Sequence, residues 1–153
     1  MRILGIDYGD RQIGLALSDP FGWTAQGLDV LKNTPQALDK LQELVQKHQV
    51  EEIVLGWPKN MDGTLGERAI LAQEWAAELE SRLNLPVVLW DERLTTVAAQ
   101  KTLLEADLSR KKRKKVVDQL AAVLILQNYL DRQKNRVENR KADLSAEIIS
   151  GQT

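Results

Sequence analysis

No cysteine occurs in the 153 residues, and histidine occurs once, at position 48. The first absence excludes a disulfide framework and a thiolate metal site; the second excludes metal chemistry built on several imidazoles. Long apolar runs are missing too. The longest, Leu120–Leu126, falls far short of the roughly 20 residues that span a bilayer. The chain opens on a core-strand pattern rather than on a secretory leader, so a cytoplasmic location without a membrane partner is expected. Any metal must then be held by carboxylates, which favours Mg²⁺ or Mn²⁺.

What is present suits one compact domain: 43% of the residues are hydrophobic, and no repeat divides the chain. The net charge is −1, yet Arg110, Lys111, Lys112, Arg113, Lys114 and Lys115 form an unbroken basic run. A concentrated cationic patch on an otherwise acidic chain orients a polyanion without making the whole surface adhesive. Basic residues in a first helical turn oppose the helix dipole, so stability alone does not account for the run.

The first strand carries the most specific signal. Over ILGIDYGDRQIGLALSD, period-two alternation puts Ile3, Gly5 and Asp7 on one face and Leu4, Ile6 and Tyr8 on the other. Asp7 therefore interrupts an apolar face at the strand's end, and a carboxylate there needs a cation as partner. Asp10 lies in the following turn, where capping its own backbone explains it. Tyr8 is expected to pack.

A third short strand is expected around Leu28–Leu31, then a helix capped by Thr34 with Pro35 at its first position, running to His48. His48 falls on the apolar stripe and reads as a packing residue. Glu52–Trp57 reads as a buried strand, followed by the Gly- and Pro-containing loop GWPKNMDGTLGER, the expected mobile segment. A helix opened by a Thr64/Glu67 capping box ends near Asn84 and leads to a strand at Val87–Trp90. Thr95 or Thr96 caps a short helix to about Ala106, and Ser109 precedes a long final one. From Gln133 the chain is polar and weakly patterned, giving residues 1–132 as the domain and 133–153 as a flexible tail. Three strands followed by helical crossovers specify an α/β fold: an antiparallel meander continued by parallel strands.

Acidic residues stand where local structure does not favour them: Asp7, the pair Asp91 and Glu92 closing the last strand, and Asp118 on the final helix. Asp118 shares the stripe of Ala121, Ala122 and Ile125, and the small Ala side chains let that helix approach the sheet closely. Convergent carboxylates require divalent cations; a pair about 4 Å apart activates water and stabilises the leaving oxygen in phosphodiester hydrolysis.

The segments GIDYGDRQIGLALSD, VLGWPKNMDGTLGERA, LWDERLTTVAAQ and KKRKKVVDQLAAVLILQNYL, over residues 2–132, resemble the YqgF (RuvX) family of ribonuclease H-like nucleases. The resemblance implies a ribonuclease H-like fold with a mixed five-stranded sheet flanked by helices. It implies Asp7, Glu92 and Asp118 as catalytic metal ligands for two Mg²⁺ or Mn²⁺ ions, with Asp91 the second choice within Asp-Glu-Arg. Related junction resolvases carry an acid at the end of the middle parallel strand, where this chain has Gly56-Trp57-Pro58, so Glu92, one strand further, takes that place. The implied activity is a cytoplasmic nuclease trimming the 5′ end of precursor 16S rRNA, in contact with ribosomal particles; Holliday junction resolution on branched DNA is the alternative.

The basic run Arg110–Lys115, with Arg11 and Arg68, supplies the candidate nucleic-acid contacts, and Trp57 a packing residue with base stacking as a second role. Two other classes remain. Actin-like ATPases begin with a similar Asp- and Gly-containing hairpin, but they clamp nucleotide between two such domains and this chain supplies one. A non-catalytic binding factor is disfavoured by the three acids. Monomer and homodimer both stay open.

Overall fold

The computed structural model describes residues 1–94 and 110–151, with side chains for 1–94 and 119–146. Alternating apolar positions make a hairpin of β1 (Arg2–Tyr8) and β2 (Gln12–Ser18), and β3 (Ala25–Lys32) adds antiparallel to β2. The chain crosses through α1 (Ala37–His48) to β4 (Val50–Trp57), which lies parallel to β1, and through α2 (Glu67–Leu83) to β5 (Val87–Asp91), parallel to β4. A 3₁₀ turn, Glu92–Leu94, closes β5, and α3 (Arg110–Gly151) ends the described chain. The sheet order is β3-β2-β1-β4-β5: the mixed five-stranded α/β sheet read from the sequence.

Period two sorts the side chains onto two faces. Leu4, Ile6, Ile13, Leu15, Ile53 and Leu55 pack against α1 and α2. Ile3, Ala16, Val54 and Trp90 pack against Ala121, Ala122, Ile125 and Leu126 of α3. Three layers result, helices on either side of one sheet. Backbone comes close to backbone on the α3 side: a Cβ on Gly5 would lie 2.7 Å from the Cβ of Leu126 and 3.1 Å from the Ala122 carbonyl oxygen. Gly5 has no side chain because α3 occupies that space.

Several element ends differ from the sequence reading. Thr34 and Pro35 lie in a turn, and α1 starts at Ala37 with Gln36 as N-cap; the Thr34 carbonyl accepts the Ala37 N–H, but its side chain caps nothing. Thr64 does not open α2 either. Its N–H and hydroxyl both donate to Asp62 Oδ1, at 3.0 and 2.6 Å, leaving Gly66 as N-cap. Together with Asn60 Nδ2 donating to Thr64 Oγ1, these bonds give the loop expected to be mobile its own internal frame. Asn84 ends α2 as read, in the left-handed conformation. β3 is longer than Leu28–Leu31, because an edge strand with mostly exposed or half-buried side chains shows little alternation to read.

Residues 133–151, expected as a polar tail, continue α3 as helix. Their side chains between 134 and 146 are exposed, so this segment rests on helix-forming Lys, Arg, Glu and Ala rather than on packing. At about 1.5 Å per residue, the 42 residues of α3 span about 60 Å, far beyond the sheet it covers. Among the described residues no helix is long and apolar enough to cross a membrane. The expected short helix from Thr95 or Thr96 to Ala106, and its neighbour Ser109, lie outside the described residues.

Candidate active site at the strand ends

Asp7 is 7% exposed, one of two buried polar residues in the described core. It closes the β1 face that holds Ile3 and Gly5, the face turned toward α3. Across β2 it pairs with Gly14; across β4 the last parallel pair is Ile6 with Leu55, so the next step sets Asp7 beside Gly56. The carboxylate thus stands in a row of strand ends between two residues without side chains. The turn below it is fixed by Gly9 N–H donating to the Gln12 carbonyl, and by Asn33, whose Nδ2 donates to the Gly9 carbonyl at 2.8 Å.

Glu92 reaches this row from β5. A Cβ placed on Gly56 would lie 3.0 Å from Glu92 Oε1 and 2.5 Å from Ile125 Cδ1. The Glu92 carboxylate therefore lies over Gly56, on the α3 side, directed from the fifth strand toward the middle of the sheet. The missing side chain of Gly56 provides the room through which Glu92 arrives. Sequence reading noted the missing acid but not the space, because that space depends on a cross-strand approach with no local pattern.

Asp91, the second choice, is committed elsewhere. Its carboxylate accepts from Arg93 Nε at 3.1 Å and from Nη2 at 2.7 Å, and also accepts the Arg93 N–H at 3.0 Å. The Arg93 hydrogen bonds hold its carboxyl below the usual carboxylate range, against a smaller opposing effect of burial. Arg93 also backs the loop after β4, its guanidinium 3.2 Å from where a Gly63 Cβ would be. The Asp-x-Arg spacing was the available signal for this pairing.

Position 118 can be placed by its helix. Gly5 packs on Ala122, and α3 runs antiparallel to β1, since Gly27 meets Gln119 while Ala25 bonds Gln127 further along. Two residues up β1, about 6.6 Å, lead from Gly5 to Asp7; one turn back along α3, about 6 Å, leads from Ala122 to position 118. The two levels match. The side chain of Asp118 lies outside the description, as do those of Arg110–Lys115, although the backbone of all seven belongs to α3. Among the described residues no group of three His, Cys, Asp or Glu side chains is gathered for a metal; Asp7 and Glu92 supply two carboxylates on one face. Hard oxygen donors at a strand-end row suit Mg²⁺ or Mn²⁺ rather than a softer ion.

Other candidates have definite places. Arg11 is exposed in the β1–β2 turn and Arg68 is exposed in the first turn of α2. Trp57 packs: its Nε1 donates to the Ala69 carbonyl at 3.2 Å, and Lys59 Nζ sits 4.0 Å from its ring centre. Tyr8 stacks on Trp75 with ring centres 4.5 Å apart. His48 is half-buried at the end of α1 beside Arg2, and burial first, then Lys47 and Arg2, disfavour its charged form.

A mixed five-stranded sheet in this order, packed between helices on both faces, has the ribonuclease H-like α/β fold. The likeness to solved structures agrees. Thermus thermophilus RuvC in complex with a Holliday junction superposes with a TM-score of 0.54 at 16% identity, over 88% of this chain and 96% of that one. The fowlpox virus Holliday junction resolvase superposes at 0.50 and 14% identity, over 87% and 99%. Sequence gives the finer placement: the RuvX family model, described as Holliday junction resolvase, matches residues 1–132, and the chain belongs to that family. A candidate pre-16S rRNA nuclease of Listeria monocytogenes serotype 4b (strain CLIP80459) is 57% identical over 135 residues, 86% of this chain and 98% of the relative. One of the same description from Bacillus subtilis (strain 168) is 55% identical over the same shares.

Proposed function

We propose that this protein is a divalent-metal-dependent nuclease that hydrolyses phosphodiester bonds and processes the 5′ end of precursor 16S rRNA. The observation that carries the chemistry is the Glu92 carboxylate lying over Gly56, in the strand-end row that holds buried Asp7. The choice of RNA rests on relatives described as candidate pre-16S rRNA nucleases. Residues 1–132 form the nuclease domain, the extent of the family match, and the helical extension lies outside it.

Asp7, Glu92 and Asp118 hold the cations, Mg²⁺ or Mn²⁺ and two in number. When bound, such ions activate water and neutralise charge on the phosphate. The chain's own residues do the rest: Gly56 leaves the room in which Glu92 reaches the row, and the Arg93 guanidinium keeps Asp91 out of the ligand set. Arg110–Lys115, at the start of α3 above the row, with Arg11 and Arg68, hold the nucleic-acid backbone through its charge. Turnover takes place in the cytoplasm, on ribosomal particles, by a monomer or a homodimer.

Holliday junction cleavage is the second reading, favoured by the family's description. End-labelled precursor leader RNA and a four-way DNA junction, each with Mg²⁺ or Mn²⁺, incubated with wild type and Asp7→Asn, separate the two. Metal-dependent RNA cleavage absent in Asp7→Asn is expected; junction cleavage alone would replace the proposal with the resolvase reading, and cleavage of neither would leave a non-catalytic factor.

A further inference from the structure

At the end of the sheet opposite Asp7, on the order of 15–20 Å away along the strands, the β2–β3 turn presents two large aromatic side chains to solvent. Phe21 is 83% exposed and Trp23 61%. The turn beneath them is rigid. Asp19 Oδ1 accepts the N–H groups of Trp23 and Thr24, at 2.6 and 3.1 Å, and the Gly22 N–H donates to the Asp19 carbonyl. Gln127 of α3 clamps the same turn, its Nε2 donating to the Trp23 carbonyl and its Oε1 accepting the Ala25 N–H. A frame this well bonded holds its aromatics outward without covering them, a preorganised arrangement that stability does not require.

The extension of α3 runs past this turn and forms the other wall. Phe21, Trp23, Leu130, Val137, Lys134 and Lys141 line a cleft of about 320 Å³, with Glu138 as its one acid. Lys134 Nζ stands 4.7 Å from the Trp23 ring centre. The described part of the extension, residues 133–146, carries four cations, Lys134, Arg136, Arg140 and Lys141, against two acids, Glu138 and Asp143. Exposed rings beside a net cationic helix match bases and phosphates together: any base stacks on an aromatic face, and the backbone follows the positive groove.

We infer that the cleft between the β2–β3 turn and the α3 extension binds single-stranded nucleic acid, with Phe21 and Trp23 stacking on bases and Lys134 and Lys141 contacting phosphates. The site is separate from the carboxylate row. It holds a single-stranded flank of a longer substrate while the row acts elsewhere on it, and it binds without metal and without cleavage.

Binding of a fluorescein-labelled single-stranded oligo-uridine of about 16 nucleotides, followed by anisotropy without divalent metal, tests this independently of any nuclease activity. All proteins compared carry Asp7→Asn. Phe21→Ala with Trp23→Ala should raise Kd about tenfold or more, with an unchanged melting temperature because both side chains are exposed. Lys134→Gln with Lys141→Gln should lower the slope of log K against log salt by about 1.4, at about 0.7 per phosphate contact on a single strand. Unchanged affinity in the aromatic double variant overturns the inference. If sedimentation then shows that the same variant has lost a dimer, the surface belongs to a second copy of the chain.

Discussion

The two faces of the sheet are built from different side chains. Under α1 and α2 the strands offer Leu4, Ile6, Ile13, Leu15, Ile53 and Leu55, branched residues with almost no exposure. Under α3, the alternate positions of the same strands mix the large Ile3, Val54 and Trp90 with the small Gly5, Gly14, Ala16 and Gly56 and the carboxylate of Asp7, met by Ala121, Ala122, Ile125 and Leu126. One face maximises buried apolar surface, at about 1.5–3 kcal/mol per large side chain. The other gives up bulk so that a helix approaches closely, and carboxylates occupy the row at the strand ends. The bulk of the branched apolar side chains and the candidate carboxylates thereby lie on opposite sides of the same five strands.

The largest effect expected on this division is at Asp7. Asp7→Asn keeps the shape and removes the charge, so cleavage initial rates should fall about a thousandfold or more, equivalent to the several kcal/mol that a bound cation supplies. A comparable drop in melting temperature would instead make Asp7 a structural residue. Leu55→Ala, on the opposite face, should cost about 2–5 kcal/mol in urea unfolding and leave kcat unchanged where the protein is still folded. A lowered kcat there would break the separation of faces.

Gly56→Ala tests the thin face directly. Its methyl meets the flexible end of Ile125 and the Glu92 carboxylate, so the fold should lose about 1–3 kcal/mol by overpacking while cleavage falls about a hundredfold as Glu92 is displaced. Full activity would mean that Glu92 does not act over Gly56. The smallest effect is at Asp91. Asp91→Asn should retain cleavage within about a factor of a few and lose about 1 kcal/mol of stability, a modest figure for a pair open to solvent on one side. Because the fold lowers the Asp91 carboxyl pKa, its contribution is fully present above the ordinary value of about 4 and disappears as pH falls through the lower folded one. Unfolding free energies of wild type and variant, measured against pH, should converge in acid; a gap that persists would assign the effect to something other than ionisation.

The mixed sheet and the helix placement were legible because period two holds through β1 and β2, β4 is a short continuous apolar run, and period 3.6 holds through α1 and α2. Caps were less so. Thr34 and Thr64 each satisfied a sequence rule for opening a helix, but the turn before α1 and the Asp62 side chain claimed the relevant groups first. The extension of α3 was missed because a helix without an apolar stripe looks like a tail in sequence, though its residues favour helix one by one. At the site, Asp7 announced itself as a charge on an apolar face. Local pattern alone did not separate Asp91 from Glu92, and the preference for Glu92 came from the family resemblance; the features that distinguish their surroundings are Arg93 two residues on and the gap left by Gly56 one strand away.

The most direct test of the account is Mn²⁺ binding, followed by electron paramagnetic resonance, in wild type, Asp7→Asn, Glu92→Gln and Asp91→Asn. Binding should be weakened strongly in the first two variants and retained in Asp91→Asn, because Arg93 already holds that carboxylate. Retention in Glu92→Gln with loss in Asp91→Asn would contradict the assignment and move the site to the far side of the last strand.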